Sequence, residues 1–117
     1  MNHIILYGIS NCDTVRKARK WLNTNEIGHM FHDFRKDGIN QLPLDQWLKQ
    51  QGDEKLINRR GTTWRALDDS EKEIKSVEDA TQLMREHPAL IKRPVLDIDG
   101  TIHLGFSESI YAELLKT

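Results

Sequence analysis

Apolar residues along this chain switch between continuous short runs and spacings of three and four, and each switch marks an element. Ile4-Ile5-Leu6-Tyr7, closed by Gly8, is the pattern of a buried strand at residues 3–8. The loop Ile9-Ser10-Asn11-Cys12 follows. Val15, Ala18, Trp21 and Leu22 then fall on one face of a helix expected from about residue 14 to 25, with Arg16, Lys17, Arg19 and Lys20 on the remaining surface. Asn25 and Gly28 supply its stop, and His29 to Phe34 reads as a second strand before Asp37-Gly38 breaks the pattern.

From residue 38 to His87 the signals are helical and come in short pieces. Leu42-Pro43-Leu44 leads into Trp47-Leu48 with Gly52 as terminator, and Asp53 opens a turn of helix around Leu56-Ile57. Ser76-Val77-Glu78-Asp79 is a capping box in its Asp form ahead of Ala80, Leu83 and Met84, and Pro88 ends that helix. The runs 93–98 and 101–104 are two strands joined by Asp99-Gly100, a strong hairpin signal. Ser107 caps a final amphipathic helix carrying Ile110, Tyr111, Leu114 and Leu115. The order β-α-β, helical insertion, β-β-α predicts an α/β fold. A right-handed crossover makes the first two strands parallel. An antiparallel third strand then brings Pro94 beside the end of the first strand, where Cys12 sits.

Composition narrows the function. The chain has 117 residues, enough for one domain with one core, and its 38% hydrophobic and 30% charged content suits a globular protein. With 17 basic against 18 acidic side chains the formal net charge is −1, which argues against charge-driven binding to nucleic acid or an anionic membrane. The sequence shows no membrane span and no targeting segment, so a cytoplasmic location is expected. Cys12 is the single cysteine, which fits a reducing compartment and means that any disulfide partner comes from another molecule.

A free cysteine is more often a small buried hydrophobe than a nucleophile. Position argues otherwise here: Cys12 follows a strand and opens a helix, so backbone N–H groups and the positive end of the helix dipole face its sulfur. Arg16, one turn on, either approaches the sulfur or is an ordinary solvated arginine. Asp13 opposes a second negative charge, and Thr14 either donates its hydroxyl to the sulfur or only caps the helix. From an unperturbed pKa of about 8.5, a drop of about two units makes thiolate the major form at neutral pH.

The segment Tyr7-Gly8-Ile9-Ser10-Asn11-Cys12-Asp13-Thr14-Val15-Arg16-Lys17-Ala18 resembles the active-site segment of the arsenate-reductase-related (ArsC/Spx) family. The resemblance continues through Asn58-Arg59-Arg60-Gly61-Thr62-Thr63-Trp64-Arg65, His87-Pro88 and Ile91-Lys92-Arg93-Pro94-Val95-Leu96 to Leu104-Gly105-Phe106-Ser107-Glu108, so it spans essentially the whole chain. It implies a thioredoxin-like mixed four-stranded sheet, with a core of about 1–36 and 88–117 and a helical insertion of about 37–87, forming one domain. It implies Cys12 as the nucleophile, a cis bond before Pro94 and Arg93 facing the sulfur. Asn11, Thr14 and Arg16, close to Cys12 in sequence, are the further candidate thiolate-stabilising or substrate-binding residues. Arg59 and Arg60 are the candidates for further anion binding.

Two departures from the family pattern bear on activity. True arsenate reductases are expected to hold the oxyanion with three arginines. Arg93 matches one; the other two positions fall near Asn58, with Arg59 and Arg60 out of register, and at Gly105. The chain is also similar to Spx-type regulators, many of which carry a Cys-x-x-Cys switch, but Val15 stands at the second cysteine position. The YffB-like branch, with one cysteine and an Arg-Gly-Thr-Thr-Trp segment, matches best. The resemblance implies a thiol reductase fold; because the single cysteine needs an external thiol, the leading expectation is a glutathione-dependent thiol oxidoreductase with no bound cofactor, whose partners are glutathione or a protein thiol. An Spx-like regulatory module that contacts RNA polymerase is the alternative, and arsenate reduction ranks third.

Other signals are structural. His29 and His32 fall on opposite faces of a strand, and His3, His87 and His103 suggest no cluster, so no metal is expected. Asp97-Ile98-Asp99-Gly100 lacks the later glutamate of a calcium loop. Trp21, Trp47 and Trp64 read as helix packing. Arg16 to Lys20 with Arg59, Arg60 and Arg65 form either a positive rim around Cys12 or a solvated surface.

Overall fold

Residues 3–115 are described by the computed structural model. In chain order its elements are β1 (Ile4–Gly8), α1 (Asp13–Thr24), β2 (Met30–Asp33), α2 (Leu44–Gln51), α3 (Asp53–Leu56), α4 (Thr62–Arg65), α5 (Val77–Glu86), a 3₁₀ turn (Pro88–Leu90), β3 (Val95–Ile98), β4 (Thr101–Leu104) and α6 (Glu108–Leu115). They divide into two compact units. One holds the chain up to Asp37 and from Arg93 onward, the other is Gly38–Lys92.

The first unit is a thioredoxin-like α/β layer with strand order β2-β1-β3-β4. β1 and β2 are parallel, with Leu6 opposite Phe31 and Gly8 opposite Asp33. β3 runs antiparallel to β1, with Leu6 opposite Leu96 and Tyr7 opposite Val95. The 99–100 turn works through backbone handedness: Asp99 (φ 52°) and Gly100 (φ 94°) are both left-handed, and Asp97 accepts from the Gly100 N–H at 2.7 Å. On one face of the sheet Ile4, Leu6 and Leu96 meet Ala18 and Leu22 of α1 and Tyr111 of α6. Phe31, Ile98, Phe106 and Leu114 complete the cluster from its edge.

Glycine is required at position 8. A Cβ there would lie 2.7 Å from Cγ2 of Val15. Val15 is fully buried in the first turn of α1, so the missing side chain lets the helix start close against the end of β1.

In the second unit Trp47, Leu44, Leu56, Ile57, Met84, Leu90 and Ile91 are almost wholly buried. Its end is fastened by backbone. Ile57 bridges Ile91, Asn58 N–H donates to Leu90 C=O at 2.7 Å, and Lys92 N–H donates to Leu56 C=O at 2.8 Å. Those bonds hold residues 90–92 within the second unit, which ends at Lys92. The Ser76 cap forms, accepting from Asp79 N–H at 3.1 Å, but its reciprocal arm is displaced: the Asp79 carboxylate accepts from Lys75 N–H at 3.1 Å. Among the described residues, no helix is long and apolar enough to cross a membrane.

Candidate functional site

Cys12 is the N-cap residue of α1, in extended conformation (φ −96°, ψ 128°). Its N–H donates to Ile9 C=O at 3.1 Å, closing the loop that leaves β1, and its C=O accepts from Arg16 N–H at 2.9 Å, opening the helix. The sulfur is thus held at the helix mouth by bonds on both sides of its own residue, and the side chain is partly exposed.

The thiol pKa lies below its ordinary value as a balance of opposing effects. Partial burial is the largest single influence and disfavours the thiolate. It is outweighed by the N–H of Val15, a hydrogen bond from the Arg93 guanidinium, the N–H of Thr14 and the positive charge of Arg93, all of which favour it.

The Arg93–Pro94 peptide bond is cis, and Val95, two residues after Arg93, pairs with Tyr7 at the end of β1. The turn carrying Pro94 is held from beneath: Gly105 N–H donates to Pro94 C=O at 2.9 Å, and the Tyr111 hydroxyl donates to Gly105 C=O at 3.0 Å. Gly105 has φ 81°, a conformation open to glycine and strained for other residues. Tyr111 is 1% exposed, and burial raises its phenol pKa well above the ordinary value.

The remaining candidate residues take distinct places. The Arg16 guanidinium pairs with the Asp13 carboxylate one turn back, and both side chains are mostly exposed. It is not among the leading influences on the sulfur, where Arg93 supplies the charge. Thr14 acts through its backbone N–H. Asn11 is an exposed turn residue just before the cysteine. Arg59 pairs with Asp53 at 2.8 Å with its guanidinium 5.2 Å from the Trp64 ring centre. The Arg60 N–H is capped by the Asn58 side chain at 3.1 Å. Both arginines belong to the second unit.

Two features escaped the sequence reading. Asp33, at the end of β2, is only 3% exposed, and its carboxylate accepts from Ser10 N–H at 3.1 Å, Arg35 N–H at 2.8 Å and Lys36 N–H at 3.2 Å. Burial is the largest influence and raises its pKa, but the N–H donors together overcome it and the pKa is lowered. Asp33 thereby ties the loop before Cys12 to the end of the neighbouring strand. The only sequence signal was an acidic residue closing an apolar run, which is too common to single out. The second feature is His87. Folding brings donor atoms of Glu71, Glu86 and His87 within 4.8 Å of one another, with His87 Nε2 3.4 Å from Glu71 Oε2, where sequence suggested no cluster.

Comparison with known proteins follows this geometry. Residues 7–114 match the model of the ArsC family. An uncharacterised protein of Haemophilus influenzae is 45% identical over 108 residues, covering 92% of this chain and 95% of its own. The solved structure of a YffB protein superposes with a TM-score of 0.87 at 40% identity, covering 94% and 96% of the two chains. The global transcriptional regulator Spx 2 of Bacillus anthracis is 27% identical, covering 90% of this chain and 81% of its own. With the family match spanning nearly the whole chain around Cys12, Arg93 and cis Pro94, the protein belongs to the ArsC family.

Proposed function

We propose that this protein is a glutathione-dependent thiol oxidoreductase working through one nucleophilic cysteine. The observation that carries this reading is the set of donors around the sulfur. The N–H groups of Thr14 and Val15 and the Arg93 guanidinium stabilise a thiolate on a partly exposed residue. The Cys12 thiolate attacks a disulfide R–S–S–G formed between a substrate thiol and glutathione. The bond to the glutathione sulfur forms, the S–S bond breaks, and its electron pair leaves on R–S⁻, which takes a proton from water. A second glutathione thiolate then attacks the Cys12–glutathione disulfide, releasing oxidised glutathione and regenerating the Cys12 thiolate. In the first step Cys12 supplies the electron pair and is oxidised to the mixed disulfide; with no second cysteine in the chain, the second glutathione restores it.

Intact mass spectrometry after treatment with oxidised glutathione tests this. One glutathione adduct per chain is expected, lost in Cys12→Ser and reversed by reduced glutathione. A protein that forms only a disulfide-linked dimer, or no adduct, overturns the reading.

A second reading is supported by the whole-chain similarity to Spx regulators. In it the chain is a regulatory module that binds RNA polymerase. Val15 in place of a second cysteine removes an internal disulfide switch but leaves binding possible. Co-purification of RNA polymerase with the Cys12→Ser protein supports this reading; its absence beside normal thiol exchange by the unaltered chain removes it. Arsenate reduction ranks third, because Gly105 stands where an anion-holding arginine is expected.

A further inference from the structure

Within the first unit, the exposed stripe of α1 faces the junction between β4 and α6 across a groove of about 640 Å³. Thr14, Lys17, Trp21 and Thr24, spaced at three and four, form one wall with Lys20 beside them; Phe106, Ser107 and Glu108 form the other. The groove begins at Thr14, two residues after Cys12, and the backbone N–H of Thr14 faces the Cys12 sulfur.

The groove has a fixed aromatic floor. Trp21 and Phe106 both pack edge-on against buried Tyr111, with ring centres 5.8 Å and 4.8 Å away. The cations of α1 are divided in their roles. Arg16 is paired with Asp13, and the Arg19 guanidinium sits 4.2 Å from the Phe31 ring centre. Lys17 and Lys20 form no ion pair among the described residues, and both line the groove. The acidic group lining it is Glu108, in the first turn of α6, leaving one net positive charge. The stripe from Thr14 to Thr24 runs about 15 Å along the helix, the span of about four or five extended residues.

We propose that this groove seats an acidic, extended segment of a protein whose cysteine exchanges disulfides with Cys12, with the two lysines meeting its carboxylates and Trp21 and Phe106 its apolar atoms. The proposal rests on the thiol-exchange reading above and specifies its substrate as a protein rather than a small thiol alone. Selection is electrostatic, so it weakens as salt screens the charges.

The test uses two short peptides, each with a terminal cysteine joined by a disulfide to thionitrobenzoate, one rich in aspartate and the other in lysine. Cys12 attacks the peptide sulfur, and thionitrobenzoate leaves with the electron pair of the broken bond and is read by its absorbance. The aspartate peptide should react about fivefold faster at low salt, the size expected of two exposed charge contacts. Added salt should shrink that ratio, and Lys17→Gln/Lys20→Gln should bring it close to one, whereas Lys49→Gln in α2 should keep it. Equal rates for the two peptides, or a ratio untouched by the double substitution, overturn the groove while leaving thiol exchange standing. A Cys12 that releases no thionitrobenzoate even from an uncharged disulfide overturns both.

Discussion

The guanidinium of Arg93 donates a hydrogen bond to the sulfur of Cys12 from the turn before β3, while Arg16, on the cysteine's own helix, turns to Asp13. The charge that favours the thiolate therefore comes from the turn that precedes β3, not from the helix that carries the cysteine.

The pH dependence of Cys12 alkylation follows from this pairing. A lowered thiol pKa means the reactive thiolate is present above that value and is lost as pH falls through it. The inflection should lie below that of an ordinary thiol, about 8.5. Arg93→Ala should move it up and slow alkylation at neutral pH about tenfold, the size of one charge-assisted hydrogen bond. Arg16→Ala should move it less, since its charge already answers Asp13. Equal shifts for the two variants would mean that the arginines act as a diffuse field.

Asp33 should be visible in acid unfolding. Its folded pKa is lowered, so its contribution is present above the unfolded carboxyl value of about 3.9 and is lost as pH falls through the folded one. Asp33→Asn should cost about 1–3 kcal/mol at pH 7, because an amide cannot accept every N–H that the carboxylate does. The two denaturant midpoints should converge as the pH falls below the unfolded carboxyl value and through the folded one. Parallel curves would show that the Asp33 carboxylate is not the group being titrated.

Gly8→Ala places a methyl group in the space held by Val15. The expected cost is about 1–3 kcal/mol, with a slower Cys12 reaction because the helix start is pushed off the strand. Adding Val15→Ala should recover part of both, measured by chemical denaturation and alkylation rate. No coupling between the two substitutions would place the strain elsewhere.

Arsenate turnover should be weak even with glutathione and glutaredoxin supplied, and Gly105→Arg should not create it. A Cβ at 105 meets no atom within 4 Å, so the obstacle is the left-handed backbone, a cost of about 1–3 kcal/mol for a non-glycine residue. Robust Cys12-dependent turnover by the unaltered chain would show that Arg93 is sufficient for the oxyanion.

Much of the fold was legible because its signals are local. The apolar run before Gly8, the three-four spacing from Val15 to Leu22 and the Asp99-Gly100 turn each specify an element with little help from the rest of the chain. The short helix at Thr62–Arg65 and the 3₁₀ turn at Pro88–Leu90 have too few residues to show a period. Cys12 stood out through its place between strand and helix, and Arg93 and Pro94 through the family resemblance. The choice of Arg16 between sulfur and carboxylate was not legible, since both lie within a turn of it. Asp33 was hidden because its partners are backbone N–H groups, which every sequence offers at every position but proline.

Tyr111, Gly105, Pro94 and Arg93 form a continuous path from the middle of α6 to the sulfur, through one hydroxyl bond, one amide bond, one peptide link and one guanidinium bond. The final helix is accordingly the foundation on which the thiol's counter-charge rests. Unwinding it withdraws the tyrosine, releases the Gly105 carbonyl and loosens the turn that aims Arg93. Damage to α6 is thus felt as a less acidic cysteine.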